Sequence, residues 1–121
     1  MIFVLLILLF SICIVNAYSP HGKYCGEKRF YVKIDVKVNS LTSINLNVNA
    51  FGKNFECNNE AVVLHRDNKI TVVHGNERGN CVNRISTEFG GVNMEFHYNS
   101  HSNEVYIYLP RPVGNITLTN C

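Results

Sequence analysis

The sequence predicts a mainly β protein: an antiparallel meander of about eight strands, folded as a sandwich or half-open barrel, with one short helix at about residues 80–89. Three observations carry this. Apolar and polar residues alternate strictly from Val32 to Ala50, and the pattern recurs from Val92 to Leu109. Asn- and Gly-rich breaks separate the runs. Between Gly75 and Gly91 the spacing changes from two to that of a helix.

The first run sets the rule. Val32, Ile34, Val36 and Val38 alternate with Lys33, Asp35 and Lys37; after Asn39-Ser40-Leu41-Thr42-Ser43, Ile44, Leu46, Val48 and Ala50 alternate with Asn45, Asn47 and Asn49. This is a hairpin with one dry face, Val38 opposite Ile44 and Val32 opposite Ala50. A slip of one residue would turn every apolar side chain to water, so the register is well specified. Phe51-Gly52-Lys53-Asn54 reads as a tight turn with Phe51 opposite Asn54, continuing the dry face into Phe55 and Cys57. Tyr18 to Arg29, with Pro20, Gly22 and Gly26, reads as an irregular lead-in.

Asn58-Asn59 breaks the third strand. Ala61–His65 and Ile70–His74 form the next hairpin around Arg66-Asp67-Asn68-Lys69, without clean alternation. Val63, Ile70 and Val72 fall on one face and Val62, Leu64 and Val73 on the other, which predicts strands covered on both sides. Asn80 is placed as a helix N-cap, with Val82, Ile85 and Phe89 at helical spacing and Gly90-Gly91 as the stop. Val92, Met94, Phe96 and Tyr98 then alternate with Asn93, Glu95 and His97; Val105, Ile107 and Leu109 alternate with Tyr106 and Tyr108. Pro110-Arg111-Pro112 stops that strand, and Asn115–Cys121 is the last, with Ile116 and Leu118 inward.

Ile2 to Val15 is apolar except for Ser11, and Val15-Asn16-Ala17 offers small residues for cleavage. Residues 1–17 read as a signal peptide, leaving 18–121 as a single disulfide-bonded β domain with no stable membrane span. No Lys or Arg precedes the apolar run, and an uncleaved anchor is the alternative. The protein is therefore expected to be secreted, outside the cell or in the lumen of the secretory pathway. Cys25, Cys57, Cys81 and Cys121 remain as an even set, which predicts two disulfides. Pairing Cys57 with Cys81 and Cys25 with Cys121 is preferred over one bridge per half. The halves follow a similar plan, Cys25 matching Cys81 and Cys57 matching Cys121, and a duplication would favour the other pairing. No Cys-x-x-Cys spacing suggests a metal site, and no cofactor is expected. Asn115-Ile116-Thr117 is an N-glycosylation sequon whose Asn115 faces outward by parity.

A net charge of +2 does not point to nucleic acid. His65 and His74 lie on one face of a hairpin but about 13 Å apart at about 3.3 Å per residue, too far to share a metal or a proton. A hydrolase such as a ribonuclease would have to draw on His65, Glu95 and Arg84, which no motif ties together, so no catalytic residue is assigned. Asn45, Asn47 and Asn49 form an amide row on the wet face, able to bond a glycan but read more simply as a solvated surface. Tyr106 and Tyr108 are sharper, because they make one strand aromatic on the face opposite Val105 and Ile107; they mark a partner site unless the helix covers them. The large inward set, Met94 and Phe96 included, would fill the centre or leave a slot for a lipid. In size, leader and cysteine number the chain is similar in outline to secreted lipid-recognition β-sandwiches, a likeness of architecture alone. The leading expectation is a non-enzymatic binding protein, taking a lipid-like ligand in its core or a protein partner on the aromatic face. Small hydrolases and matrix components are the alternatives. Tyr106, Tyr108, Phe96 and Met94 are the candidate binding residues.

Overall fold

The computed structural model describes residues 19–29, 31–88, 90, 94–109 and 113–121. Residues 1–17 expected as a leader, Tyr18, Phe30, Phe89, Gly91, Val92, Asn93 and the expected Pro110-Arg111-Pro112 stop lie outside them. Eight strands follow in chain order: β1 (Gly22–Lys28), β2 (Val32–Ser40), β3 (Ser43–Ala50), β4 (Lys53–Leu64), β5 (Lys69–Val72), β6 (Glu95–Asn99), β7 (Glu104–Tyr108) and β8 (Asn115–Asn120). One helix, α1 (Cys81–Glu88), stands between β5 and β6. Each strand pairs antiparallel with its neighbour, and β8 returns to β1, so the sheet is a closed barrel.

The β2–β3 register is the one that parity requires: Val38 faces Ile44, Val36 faces Leu46, Ile34 faces Val48 and Val32 faces Ala50. All of these except Val38 are buried. At about 1.5–3 kcal/mol for each large side chain buried, a one-residue slip would forfeit most of the barrel's driving force.

The next turn has the expected two-residue loop but lies one residue earlier in the chain. Ala50 faces Lys53, so the loop is Phe51-Gly52, and both residues have positive φ, 53° and 80°. That is the type I′ geometry that matches strand twist. An aromatic residue is unusual there. Phe51 is held by the adjacent loop: its N–H donates to the Tyr31 carbonyl at 2.9 Å and its ring stacks on Tyr31 at 5.1 Å. The shift is two residues, so Phe55 and Cys57 keep their inward parity.

Asn58-Asn59 bends β4 instead of ending it. Leu46 pairs with Cys57 but Ile44 pairs with Glu60, so two residues of β4 bulge opposite Asn45. Asn59 has φ 56°, and its N–H donates to Asn45 Oδ1 at 2.8 Å. The bulge inverts the parity beyond it. Val62 pairs with Val72 and Leu64 with Ile70 on the inner face, while Val63 and Val73 are 46% and 48% exposed. The expected two-sided burial of this hairpin is therefore not found.

β1 replaces the expected irregular lead-in. It pairs with β2 over its whole length, from Gly22 opposite Val38 to Lys28 opposite Val32. Of its inward residues Tyr24 is fully buried, and Gly26 sits where β8 crosses closely. A Cβ on Gly26 would lie 2.5 Å from the Thr117 carbonyl oxygen and 2.6 Å from the Leu118 side chain.

α1 begins as the sequence implies, with Asn80 Oδ1 accepting from the Val82 and Asn83 N–H groups at 2.9 and 3.3 Å. Val82 and Ile85 join the core. Disulfides link Cys57 to Cys81 and Cys25 to Cys121. The first ties α1 to β4; the second closes β1 onto the end of β8. Loop-closure entropy assigns about 3 kcal/mol to the shorter and about 4.5 kcal/mol to the longer. Both bridges join the front half of the chain to the back half, the reverse of what one bridge per half would give.

At one end of the barrel a single amide fixes the β6–β7 loop. Asn103 Oδ1 accepts from the Tyr24 hydroxyl at 2.7 Å and from the Tyr98 hydroxyl at 3.0 Å. Burial, and then the neighbouring Tyr24 phenol, hold the Tyr98 hydroxyl above its ordinary range. Raised in the folded state, this group contributes stability that is fully present below the unfolded phenol value of about 10 and is lost as pH climbs through the folded one. Thermal melts should therefore fall steeply above about pH 10, and Tyr98→Phe should flatten that fall while lowering the neutral-pH stability by about 1 kcal/mol. Gly26→Ala should destabilise by about 1–3 kcal/mol in denaturant titrations, because β8 must move to admit one methyl group.

Candidate functional site

The interior offers little room. Met94 and Phe96 point inward and are 9% and 2% exposed, and Tyr98, Val105 and Ile107 are buried with them. At the mouth near Leu41 and Pro20 the apolar lining of Val36, Leu64, Ile70 and Phe96 leaves a cavity of about 30 Å³. Ligand pockets span roughly 300–1,000 Å³, and one water needs about 10–15 Å³. Among the described residues, side chains fill most of the interior at this mouth.

The aromatic strip is on the outer wall. β6 and β7 pair Glu95 with Tyr108 and His97 with Tyr106, all facing out. The His97 and Tyr108 rings meet edge to face at 5.0 Å. Asn99 Nδ2 donates to the Tyr106 hydroxyl at 3.3 Å, and Glu95 lies 3.6 Å from His97 Nε2. Tyr108 is 39% exposed and Tyr106 half-buried, so α1 does not cover Tyr108. On the β5 side the same wall continues through Lys69, opposite His97, to Thr71 and the exposed Val63.

Asn115 lies at the other margin. It is exposed, and it pairs directly with Tyr108 across β7–β8. Thr117, the third sequon position, is exposed on the same wall and pairs with Tyr106. The sequon and the aromatic strip, separate in the sequence, therefore share one surface.

The amide row is partly structural. Asn45 Oδ1 accepts from Asn39 Nδ2 and from the Asn59 N–H, both at 2.8 Å, and so secures the bulge. Asn47 pairs with Asp35 on one side and Glu56 on the other. One side-chain oxygen of Asp35 and that of Asn47 have no hydrogen-bond partner.

Sequence reasoning missed a second surface. Between α1 and the outer wall of β4 is a cleft of about 660 Å³ lined by Asn54, Phe55, Glu56, Arg78, Arg84 and Thr87, among others. Arg84 lies on the helix face away from Val82 and Ile85, which spacing alone makes plain. That this face meets β4 follows only from the Cys57–Cys81 pairing.

The residues a hydrolase would need are not brought together. A ring nitrogen of His65 bonds to Thr71 Oγ1 at 2.9 Å, Glu95 faces His97, and Arg84 lines the other cleft. His74 pairs with Glu77 at 2.9 Å in an exposed loop. Among the described residues the one metal-spaced cluster is Cys57, Glu60 and Cys81, and its two sulfurs are joined to each other.

Burial separates the candidate residues by role. Phe96→Ala should cost about 3–5 kcal/mol in denaturant titrations, whereas Tyr108→Ser should change stability by no more than about 0.5 kcal/mol. No protein-family model, curated protein or solved structure matches the chain.

Proposed function

We propose that this is a secreted, non-enzymatic binding protein whose partner is another protein, docked on the outer wall of β6 and β7 around His97, Tyr106 and Tyr108. The observation that carries the reading is the exposed aromatic strip, set against an interior cavity of only about 30 Å³. Tyrosine supplies large contact area with a polar tip and little side-chain entropy to lose, and packing does not require it on an outer wall. On this wall β6 pairs with β5 and β7, and β7 with β6 and β8, so recognition there works through side chains. The convex wall suits a protein surface better than a small ligand, which wants a concave site.

The apolar leader and two disulfides support an oxidising, extracytoplasmic compartment. Among the described residues no helix is long and apolar enough to cross a membrane. A glycan on Asn115 would stand beside Tyr108 and confine the partner to the His97 and Val63 side of the strip.

A photo-crosslinking side chain at position 108, in protein secreted by cells that naturally make it, should yield one discrete adduct. The same group at position 33, on the opposite wall, should not. Tyr106→Ser should abolish the adduct, as a binding hot spot of about 2 kcal/mol or more requires, and Asn115→Gln should increase it. Equal adducts from both positions, or a co-purified lipid mass in native mass spectrometry, would defeat the reading.

A further inference from the structure

The wall opposite the aromatic strip carries a different chemistry. In the closed strand order β2 and β3 lie across the barrel from β6 and β7. Two clefts adjoin there. The larger, about 660 Å³, lies between α1 and β4; the smaller, about 200 Å³, lies over β1 to β4; Glu56 lines both. Glu56, common to both linings, places the two clefts side by side; we take them as one groove, and the larger part alone is within the roughly 300–1,000 Å³ range of ligand pockets.

Each end of the groove carries two cations, and the larger part also carries Glu88, which Lys53 pairs. Arg78 and Arg84 line one end, and Lys23 and Lys37 the other. Among the described residues none of these four meets a carboxylate at ion-pair distance. Lys53 is the contrast, already paired with Glu88 at 3.0 Å. Free guanidinium groups in a cleft favour carboxylate or sulfate oxygens, which they bond in a fork.

Between the ends the lining changes to hydrogen-bond acceptors and amides: Asn54, Glu56, Asn47 and Asp35. Asp35 Oδ1 and Asn47 Oδ1 are buried and without partners, so the acceptor open to a ligand here is the Glu56 carboxylate. Carboxylates in the centre repel a ligand with continuous negative charge, such as a nucleic acid. They accept readily from hydroxyl groups. A neutral sugar would leave the four cations unused. The pattern therefore selects a hydroxylated chain with sparse acidic groups. Three strand spacings of about 4.8 Å separate β1 from β4, so the ligand is longer than one sugar ring.

We propose that this groove binds an anionic oligosaccharide, its sulfate or carboxylate groups on Arg78 and Arg84 at one end and Lys23 and Lys37 at the other, its hydroxyls on Glu56. The site is independent of the aromatic wall.

The test titrates the full mature protein into a fluorescent, highly sulfated tetrasaccharide and its desulfated counterpart, following anisotropy at low and high salt. The sulfated probe should bind saturably and release as salt rises. Arg78→Ser with Arg84→Ser, and separately Lys23→Ser with Lys37→Ser, should each weaken binding about tenfold or more. Lys33→Ser, outside the groove, and Tyr108→Ser should leave it unchanged, and thermal melts should show all variants folded. Absence of saturable binding, equal binding of the desulfated probe, an equal loss on Lys33→Ser, or full competition by a single-stranded oligonucleotide would overturn the proposal.

Discussion

The fold depends on the closure of β8 onto β1. The strands share only two register pairs, Tyr24 with Asn120 and Cys25 with Thr119. So short a pairing would fray alone. It is held because Gly26 has no side chain to keep Leu118 away, because Cys25 is bonded to Cys121, and because the Cys121 N–H donates to the Lys23 carbonyl at 2.9 Å. Lys28 Nζ reaches the Asn115 carbonyl at 3.1 Å, securing the far end of the seam. Once closed, the sheet has no terminal edge, its inner face is sealed, and the placement of every outer side chain is fixed by strand order.

Closure and filling together leave the outer walls as the accessible surface. The inner positions of β1, β6 and β7 carry Tyr24, Phe96, Tyr98, Val105 and Ile107, all nearly inaccessible to solvent. Two of the bulkiest are tyrosines, and their hydroxyls share one acceptor on Asn103. Burying those hydroxyls without it would be costly, so the loop amide is part of the core chemistry and not a surface detail. With the interior occupied, the two walls divide the remaining chemistry: aromatic on β6–β7, basic and amide-rich across β1–β4.

Much of this was legible in the sequence where one face of a strand is dry. Parity fixed the β2–β3 register and sent Tyr106 and Tyr108 outward, because a sheet with a single core face allows one solution. It failed where a residue contributes by lacking a side chain or by breaking count. Gly26 hid β1, since a glycine at an inward position leaves no apolar signal. Asn58-Asn59 looked like a stop because a bulge and a loop use the same residues. Eight strands were still the right number, since β1 was missed and β4 was divided in two. The Asn115–Tyr108 contact and the α1–β4 cleft were not legible, as each depends on a pairing between distant segments.

The bulge also shows which exposed residues packing explains. Without it, the parity of Phe55 and Cys57 would continue inward through Val63 and leave Val62 and Leu64 outside. With it, Val62 and Leu64 turn in to meet Val72 and Ile70, and Val63 and Val73 turn out. Burying two large side chains in place of one is favourable by about 1.5–3 kcal/mol, so the bulge stabilises the barrel in its own right. The exposure of Val63 is then a consequence of packing and needs no partner to explain it. Tyr106 and Tyr108 have no such origin. No bulge lies in β7, their parity is regular, and a threonine, as at 117 and 119 on the neighbouring strand, would satisfy the same outer positions. Packing and the bulge thus explain the exposed valines and leave the exposed aromatic pair as the one feature of this wall that they do not produce.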